Sequence, residues 1–431
     1  MNGEDGPSRA TTNIAAGMTE SVEVAIVGAG QAGLATSWYL EQAGVEHLVL
    51  EAGRVAETWR SRRWDSFCLV TPNWTVQLPG APYRGPDPDG FMGRDELVDH
   101  FLEWAGSFHA PVREGCRVSA LDIDGRDFVL NMGAESLRAR NVVVASGGYQ
   151  RAYRPPNSEQ LPSGVNQLLA EEFTNESELP DGAVMIVGSG QTGCQLAEEL
   201  HDAGRKVILS CGRCPWMPRR LGDHDVVWWI IESGFWNRTL AQLPSPGARL
   251  LGNPQTTGHG GGHDLNYRTL HAAGVELVGR YLGADDGKVH FADDLAESIQ
   301  AGDELARGFM KWVQALCETR RLPVPWEVPP PPGFTGRTAV DLEGERISTV
   351  IWTAGYRPDY GWVHTPVFDE MGFPVQVDGR TEVSGLYFMG VHFQRKAQSA
   401  VLYGVGEDAE LVARHIVESK SWPGARRAQF R

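Results

Sequence analysis

One ten-residue pattern occurs twice in this chain and constrains its fold more than any other feature. The sequence VAIVGAGQAG spans residues 24–33, and VMIVGSGQTG spans residues 184–193, which lie 160 positions later. In each copy a short apolar run stops at a glycine and leads into a helical pattern, which is the start of a strand–helix–strand unit. Two units of one design predict an α/β fold with two Rossmann-like dinucleotide-binding domains.

The first Gly-rich turn has the spacing of a diphosphate-binding site. Gly28, Gly30 and Gly33 fit G-x-G-x-x-G at a strand-to-helix junction, where backbone N–H groups and the helix dipole can approach a pyrophosphate. Glu51 follows the second strand about 20 residues further on, where a carboxylate can accept hydrogen bonds from an adenosine ribose. The turn and the acid together predict FAD, and the alternative is that the glycines only tighten a turn.

The second turn repeats the glycines but not the acid. Cys211 stands where the first unit has Glu51, and Arg213 follows two residues later. A carboxylate at this position would repel a ribose 2′-phosphate, whereas an arginine can bind one. We therefore expect NADPH at the second turn, with Arg219 and Arg220 as further candidates for the phosphate; a solvated surface role is the alternative for Arg213.

Other apolar runs place the remaining boundaries. Residues 141–145 and 349–353 each read as a buried strand that ends in a glycine turn, and a strand at 385–390 precedes a helix predicted from about 399 to 418. The proline-rich stretch 323–332 reads as an exposed connection. We expect a disordered tail at 1–20, an FAD-binding domain from 21–155 plus 340–431, and an NADP-binding domain, 156–339, inserted into it.

Composition excludes several classes of partner. Lys and Arg number 39 against 55 Asp and Glu, a net charge of −16, so a nucleic-acid partner is not expected. No apolar run approaches the roughly 20 residues that cross a bilayer. Six cysteines are too few for a disulfide framework, and the first twenty residues lack a basic start and an apolar stretch, which favours the cytoplasm. Cys211 and Cys214 follow the wrong strand for a flavin-linked redox pair, so we expect ordinary thiols.

No metal site is expected either. His259 and His263 are separated by three glycines, which disfavour the helix that would put both rings on one face. The function of an aromatic cluster is left open: it could belong to the core, form a lid over the cofactor or line a substrate pocket. Its members are Trp228, Trp229, Phe235 and Trp236.

The two Gly-rich turns, with glycine turns closing strands between and after them, resemble the two-dinucleotide-binding-domain flavoproteins. Within that group the chain is similar to the class B flavin-dependent monooxygenases, which are related to flavin-containing and Baeyer–Villiger monooxygenases and include a bacterial branch labelled as flavoproteins involved in potassium transport. The similarity runs from about residue 20 to residue 417. Residues 57–60 (ETWR) and 62–65 (RRWD) match the family's flavin-wrapping segment, and 350–356 (VIWTAGY) matches its late V-I-x-A-T-G-Y element with Thr and Ala exchanged.

The resemblance also assigns site residues. It places Asn73, in TPNW at 71–74, beside the reactive flavin carbon, with turn capping as the alternative. It directs the start of the helix after Gln394–Ser399 toward the flavin pyrimidine ring. Together, the turns and the resemblance predict cofactor contacts at Gly28, Gly30, Gln31, Gly33, Glu51, Trp59, Arg60, Trp64, Asp65, Ser146, Gly147, Gly188, Gly190, Gln191, Thr192, Gly193, Arg213, Ala354, Gly355 and Ser399.

One departure from the family concerns the link between the domains. The family fingerprint F-x-G-x-x-x-H-x-x-x-[FYW] falls within 161–173, and Leu169 stands where its histidine is expected, four residues before Phe173. In the family that histidine is thought to help join the two domains. Its loss questions how the domains are coupled here and leaves the cofactor sites unaffected.

The resemblance implies a reaction as well as a fold. In the family NADPH reduces FAD, O2 adds at flavin C4a, and the hydroperoxide inserts one oxygen atom into a small organic substrate by N/S-oxygenation, hydroxylation or Baeyer–Villiger chemistry. Two alternatives stay open: an NAD(P)H-dependent flavin reductase that passes electrons to a partner, and a non-catalytic redox-sensing flavoprotein. A small-molecule substrate and O2 are the expected partners, and a homodimer is left open.

Overall fold

The computed structural model describes residues 20–251, 253–333 and 335–419. Within these residues the strands are β1 (Glu20–Val27), β2 (His47–Leu50), β3 (Gln77–Leu78), β4 (Ala81–Pro82), β5 (Val112–Arg113), β6 (Ala120–Asp124), β7 (Asp127–Met132), β8 (Glu135–Val144), β9 (Arg151–Ala152), β10 (Asn166–Leu169), β11 (Ala183–Val187), β12 (Val207–Ser210), β13 (Arg220–Leu221), β14 (His224–Asp225), β15 (Glu276–Val278), β16 (Tyr281–Asp285), β17 (Lys288–Phe291), β18 (Ala339–Asp341), β19 (Ile347–Trp352), β20 (Tyr356–Arg357) and β21 (Leu386–Phe388). The α-helices are α1 (Gln31–Gln42), α2 (Glu57–Ser61), α3 (Arg94–Ser107), α4 (Gln191–Asp202), α5 (Val226–Glu232), α6 (Tyr267–Ala273), α7 (Leu295–Arg320) and α8 (Val405–Ser419).

A seven-stranded sheet organises the first unit. Its order is β5-β2-β1-β8-β7-β6, and β21 also pairs with β8. The strands β5, β2, β1, β8 and β21 run parallel, whereas β6, β7 and β8 pair antiparallel. Val24, Ala25 and Ile26 are fully buried, as expected for a strand covered on both faces. Helix α1 packs against α8 on one of these faces.

A five-stranded parallel sheet organises the second unit, in the order β10-β19-β11-β12-β15. Its strands come from residues 166–352, between β8 and β21 of the first sheet. The sequence prediction of two Rossmann-like units, with the second inserted into the first, is therefore confirmed. The tail predicted for 1–20 lies outside the described residues except for Glu20, which begins β1 and is paired with Arg113 (2.6 Å).

The point where the chain returns to the first unit is set by β19. This strand pairs with β10 and β11, so its residues belong to the second sheet, although the sequence division at residue 340 puts them in the first unit. Two short strands, β9 and β20, pair antiparallel where the chain leaves and re-enters the first unit. We propose that the chain returns to the first unit after Trp352. The sequence division differs because a pattern of apolar residues cannot tell which of two parallel sheets a buried strand joins.

The last helix begins later than the sequence predicted. Residues 397–400 form a single 3-10 turn, Val401 is extended (φ −96°, ψ 159°), and α8 starts at Val405 rather than near 399. A Cβ atom at Gly404 would lie 2.4 Å from the carbonyl oxygen of Gln398, so the chain folds back closely here. The predicted proline-rich connection has no helix or strand across 322–333, as expected.

Candidate functional site

The first Gly-rich turn joins β1 to α1 with little space for side chains beneath it. Gly28 has φ +111°, and a Cβ there would lie 2.5 Å from the Ala145 carbonyl oxygen. A Cβ at Gly33 would lie 1.8 Å from the Gly28 carbonyl oxygen. Gly30 is different, since a Cβ there would meet nothing within 4 Å, and as the N-cap of α1 it offers no capping side chain. The open N–H groups at this helix start fit a diphosphate.

Glu51 is tied into the turn through both of its carboxylate oxygens. Oε2 accepts a hydrogen bond from the Ala29 N–H (2.7 Å), and Oε1 accepts one from the Gly53 N–H (2.8 Å). Each carboxylate oxygen can accept a second hydrogen bond. The acid therefore holds the turn and keeps acceptor capacity for ribose hydroxyls.

Helix α2 brings two of the predicted residues, Trp59 and Arg60, to this turn. The Trp59 indole donates to Gln31 Oε1 (3.1 Å), and Gln31 Nε2 donates to the carbonyl of Ala400 (3.2 Å), which precedes α8. Arg60 has a buried Nε atom with no hydrogen-bond partner among the described residues. A buried, unpaired guanidinium N–H is costly, so an anionic ligand that accepted from Arg60 would fit here.

The second Gly-rich turn repeats the first nearly contact for contact. Gly188 also has φ +111°, and a Cβ at Gly193 would lie 2.0 Å from the Gly188 carbonyl oxygen. Gly190, the N-cap of α4, again has open space and no side-chain cap. Thr353 is an addition, since its hydroxyl donates to the Gly188 carbonyl (2.5 Å) and a Cβ at Gly188 would lie 2.6 Å from its backbone oxygen. The Thr–Ala exchange noted in the sequence thus places a side-chain donor under the turn.

The three arginines considered for a 2′-phosphate differ sharply. Arg213 is exposed, and its side chain makes no hydrogen bond, ion pair or ring contact with the residues that the structure describes. Arg219 is buried, donating to the Val70 carbonyl (2.8 Å) and to Asp225, which leaves it unsuited to a coenzyme. Arg220 is exposed and donates to a neighbouring carbonyl. Of these three, Arg213 alone combines the predicted position with a guanidinium that has no partner in the part of the chain described.

Asn73 is engaged in loop contacts. Its side chain is buried, Nδ2 donates to the Asp87 carbonyl (3.0 Å), and Oδ1 accepts from the Met92 N–H (2.6 Å). These bonds hold the loop 87–92 against the turn that Asn73 begins. The geometry favours the turn-capping alternative, although one Nδ2 hydrogen is left over.

Trp64 and Asp65 face the second unit. Trp64 is buried in the apolar core that contains Phe173 and Ile186. Asp65 accepts from Arg94 (2.8 Å) in the first unit and from Asn175 (2.9 Å) in the second. Their position reflects packing between units, which the resemblance to a flavin-wrapping segment does not reveal.

The remaining predicted residues lie in the turns that close strands or begin helices. Gly147 (φ +91°) and Gly355 (φ +85°) have the left-handed backbone that favours glycine. Ser399 is buried and accepts from the N–H groups of Arg395 and Lys396 (3.2 and 3.0 Å), so it stabilises its own turn. The others follow a strand or begin α4: Ser146, bonded to Gln150, then Ala354, and the half-buried pair Gln191 and Thr192.

The other candidate clusters have structural contacts. All six cysteines are free thiols, and burial raises the pKa of Cys211 and of Cys214 above the usual thiol value. His263 pairs with Glu198 (2.6 Å), and no group of three or more His, Cys, Asp or Glu side chains able to hold a metal occurs in the part of the chain described. Trp229 is in an apolar core, with Trp228 packed against it. No helix within the described ranges is both long and apolar enough to cross a membrane.

Sequence reasoning missed residues that hold the second turn. Ser189 and Tyr267 are buried and hydrogen-bonded to each other (2.5 Å) beside Arg213. Ser189 is visible in the G-S-G pattern, but Tyr267 lies more than 70 residues away and carries no sequence signal for this place.

Comparisons with known proteins agree with this architecture. A family model described as pyridine nucleotide-disulphide oxidoreductase matches residues 25–231. A CzcO-like uncharacterized oxidoreductase of Geobacillus kaustophilus is 29% identical over 403 residues, covering 93% of this chain and 99% of that protein. The indole-3-pyruvate monooxygenase YUCCA4 of Oryza sativa subsp. japonica is 26% identical over 246 residues, or 49% of this chain and 56% of that protein.

Solved structures share the fold at low identity. A flavin-containing monooxygenase from Stenotrophomonas maltophilia has a TM-score of 0.62 at 18% identity, covering 93% of this chain and 99% of its own. A bacillithiol disulfide reductase from Bacillus cereus has a TM-score of 0.61 at 14%, covering 93% and 100%. OTEMO, in complex with FAD and NADP, has a TM-score of 0.57 at 13%, covering 93% and 85%.

These matches confirm the oxidoreductase class and the resemblance inferred from the two Gly-rich turns. The chain has the two-unit fold of these flavoprotein structures, and in sequence it is similar to a CzcO-like oxidoreductase and, over 49% of its length, to a YUCCA monooxygenase.

Proposed function

We propose that this protein is an FAD- and NADPH-dependent monooxygenase that inserts one oxygen atom from O2 into a small organic substrate. One observation carries the cofactor assignment: two turns with the same backbone geometry are followed by an acid in the first unit and by an unpaired arginine in the second. The relatives and structures named as monooxygenases support the reaction class.

FAD fits the first unit. The α1 start at Gly30 would take the pyrophosphate, the free acceptor sites of Glu51 would take ribose hydroxyls, and the unpaired Nε of Arg60 would donate to an anionic part of the cofactor. Gln31 and Trp59 hold this corner together and connect it to the turn before α8. That turn precedes the positive end of a 15-residue helix, which would favour an anionic flavin.

NADPH fits the second unit. Gly190 opens α4 to a second pyrophosphate, and Arg213 is exposed and free to pair with a 2′-phosphate. Arg219 takes no part, because its guanidinium is used by Asp225 and by backbone carbonyls.

Bound FAD, reduced by NADPH, supplies the activation of O2, and the chain supplies positioning and exclusion of water. The bridging segment, residues 62–70, runs from the end of α2 to the second unit, where Trp64 is buried in that unit's core. This segment would therefore hold the two cofactors at a fixed position relative to each other. No side-chain nucleophile is required for such a reaction.

A disulfide reductase is the competing function suggested by the shared fold. Such an enzyme needs a reactive thiol near the flavin, and reactivity requires a thiolate. Of the C-x-x-C thiols here, Cys211 is buried and Cys214 is partly buried, and burial raises the pKa of both. This favours the monooxygenase, and the six free thiols support a reducing compartment such as the cytoplasm.

Rapid mixing separates the candidate functions. The FAD-loaded protein is reduced anaerobically with NADPH and then mixed with O2-saturated buffer, while the visible spectrum is followed. We expect a state distinct from oxidised and reduced flavin that persists long after mixing, because a monooxygenase must wait for its substrate. Immediate reoxidation would indicate a reductase, and a flavin that NADPH cannot reduce would indicate a non-catalytic sensor.

A further inference from the structure

The two turns are tied to their neighbouring strands by different chemistry. In the first unit, the side chain after β2 holds the turn, since Glu51 accepts from the Ala29 N–H. In the second unit Ser189 replaces Ala29 and Cys211 replaces Glu51. The arrangement is reversed there: the side chain belongs to the turn, because Ser189 accepts a hydrogen bond from the backbone that follows β12.

Three hydrogen bonds close a ring around Gly212. Its N–H donates to Ser189 Oγ (2.9 Å), and its carbonyl oxygen accepts from the Tyr267 hydroxyl (2.6 Å). Ser189 Oγ and Tyr267 Oη are 2.5 Å apart. Because a carbonyl can only accept, the phenol proton goes to Gly212, and the serine hydroxyl therefore donates to Tyr267. Each member donates once and accepts once, an arrangement whose bonds reinforce one another.

The ring is rigidly placed beside the predicted phosphate-binding arginine. Ser189 and Tyr267 are each 1% exposed, and Tyr267 is the first residue of α6. Gln255 fixes the turn from the other side by donating to the Ser189 carbonyl (2.7 Å). The fixed peptide at Gly212 directly precedes Arg213, whose side chain is exposed.

The ring also keeps this place uncharged. Burial raises the pKa of Tyr267 well above that of a free phenol, so its hydroxyl stays protonated. The corresponding tie in the first unit is the Glu51 carboxylate. A carboxylate would repel a 2′-phosphate, whereas neutral hydroxyls can hold the turn in place without adding a negative charge.

We propose that Ser189 and Tyr267 are positioning residues that set the preference for a 2′-phosphorylated coenzyme, by holding Gly212 so that Arg213 is presented to the phosphate. The inference rests on the proposed NADPH site at the second turn. It assigns a function to two residues that need not contact the coenzyme themselves.

Calorimetric titration of the FAD-loaded protein tests the proposal without turnover. Adenosine 2′,5′-bisphosphate and adenosine 5′-monophosphate are the two probes, and the ratio of their dissociation constants measures phosphate preference. Tyr267→Phe and Ser189→Ala should each lower this ratio roughly 3- to 10-fold, the effect of losing one hydrogen bond, while the monophosphate binds nearly as before. Tyr281→Phe is the matched control, since it removes another buried phenol hydroxyl of the second unit, one that donates to Asn157 (2.8 Å).

The outcomes separate the two levels of inference. If the wild-type protein does not prefer the bisphosphate, the NADPH assignment itself fails. If the wild type prefers it and both variants keep the ratio, the positioning role is wrong and the NADPH site stands. If neither variant folds, or if Tyr281→Phe lowers the ratio equally, the ring serves general stability and the proposal is also overturned.

Discussion

Arg213 and Glu51 show how single residues distinguish two copies of one turn. Glu51 is bonded to two backbone N–H groups of its unit, whereas Arg213 lies two positions beyond the corresponding site and is unpaired. The backbone geometry of the two turns is the same, so it cannot discriminate between dinucleotides. On the proposed assignment, the side chains after β2 and β12 carry the discrimination.

Arg213→Ala should weaken NADPH binding selectively. Losing a charge-assisted hydrogen bond costs about 1.5–3 kcal/mol, or roughly 10- to 100-fold in the dissociation constant. NADH, which lacks the 2′-phosphate, should bind almost unchanged. Arg220→Ala is the control, because Arg220 is an exposed arginine of the same region with a backbone partner. Equal losses for both coenzymes in Arg213→Ala would contradict the assignment.

Asn73→Leu should act first on stability. The substitution leaves the buried Met92 N–H without its acceptor and the Asp87 carbonyl without its donor. An unsatisfied buried group costs about 1–3 kcal/mol, which a thermal melt can resolve. Asn73→Asp is the comparison, since it keeps an acceptor for Met92. An unchanged melting temperature with increased release of hydrogen peroxide would instead return Asn73 to the flavin.

The bridging segment is one of the elements that join the two units. Within its residues, Asp65 bonds to both units, Ser66 donates to Glu199 of α4 (2.6 Å), and the Val70 carbonyl accepts from Arg219 (2.8 Å). Leu169 stands in place of the family's fingerprint histidine, and its apolar side chain cannot form a hydrogen bond. The bridging segment thus supplies contacts between the two units that the missing histidine does not.

Glu199→Gln should stabilise the protein at neutral and higher pH. Burial raises the pKa of Glu199, an effect that the hydroxyl of Ser66 partly offsets. The folded state therefore binds the proton more tightly than the unfolded state, and stability falls as pH rises from the unfolded pKa through the folded pKa. Glutamine can still accept from Ser66 and carries no charge to desolvate.

Thermal melts across pH check this prediction. The variant should melt higher than the wild type by a few degrees at pH about 8, and the difference should shrink toward zero as the pH falls below about 4, where Glu199 becomes protonated in both states. A variant that melts lower at pH about 8 would show that the ionised carboxylate stabilises the contact between α4 and the bridging segment.

At the scale of the whole molecule, the fold could be predicted because its Gly-rich strand–helix–strand pattern occurs twice in the sequence. The repeated Gly-rich turn identifies both units, and Glu51 and Cys211 distinguish them. The sequence could not show that Trp64 and Asp65 turn toward the second unit, or that β19 joins the second sheet, because both depend on contacts between distant segments. Tyr267 shows the same limit for the site, since its contact with Gly212 is created only by the fold.

The central claim, that the two turns hold different cofactors, is tested most directly with Gly30→Val and Gly190→Val. Both positions have ordinary backbone angles (φ −86° and −65°), and a Cβ at either meets no protein atom within 4 Å, so each variant should fold. The measurement is the visible absorbance of flavin in each purified variant, and its bleaching by NADPH without oxygen. Gly30→Val should be colourless, because the side chain fills the approach of the pyrophosphate; Gly190→Val should be yellow and resist bleaching. A yellow Gly30→Val protein alongside a colourless Gly190→Val protein would contradict the account.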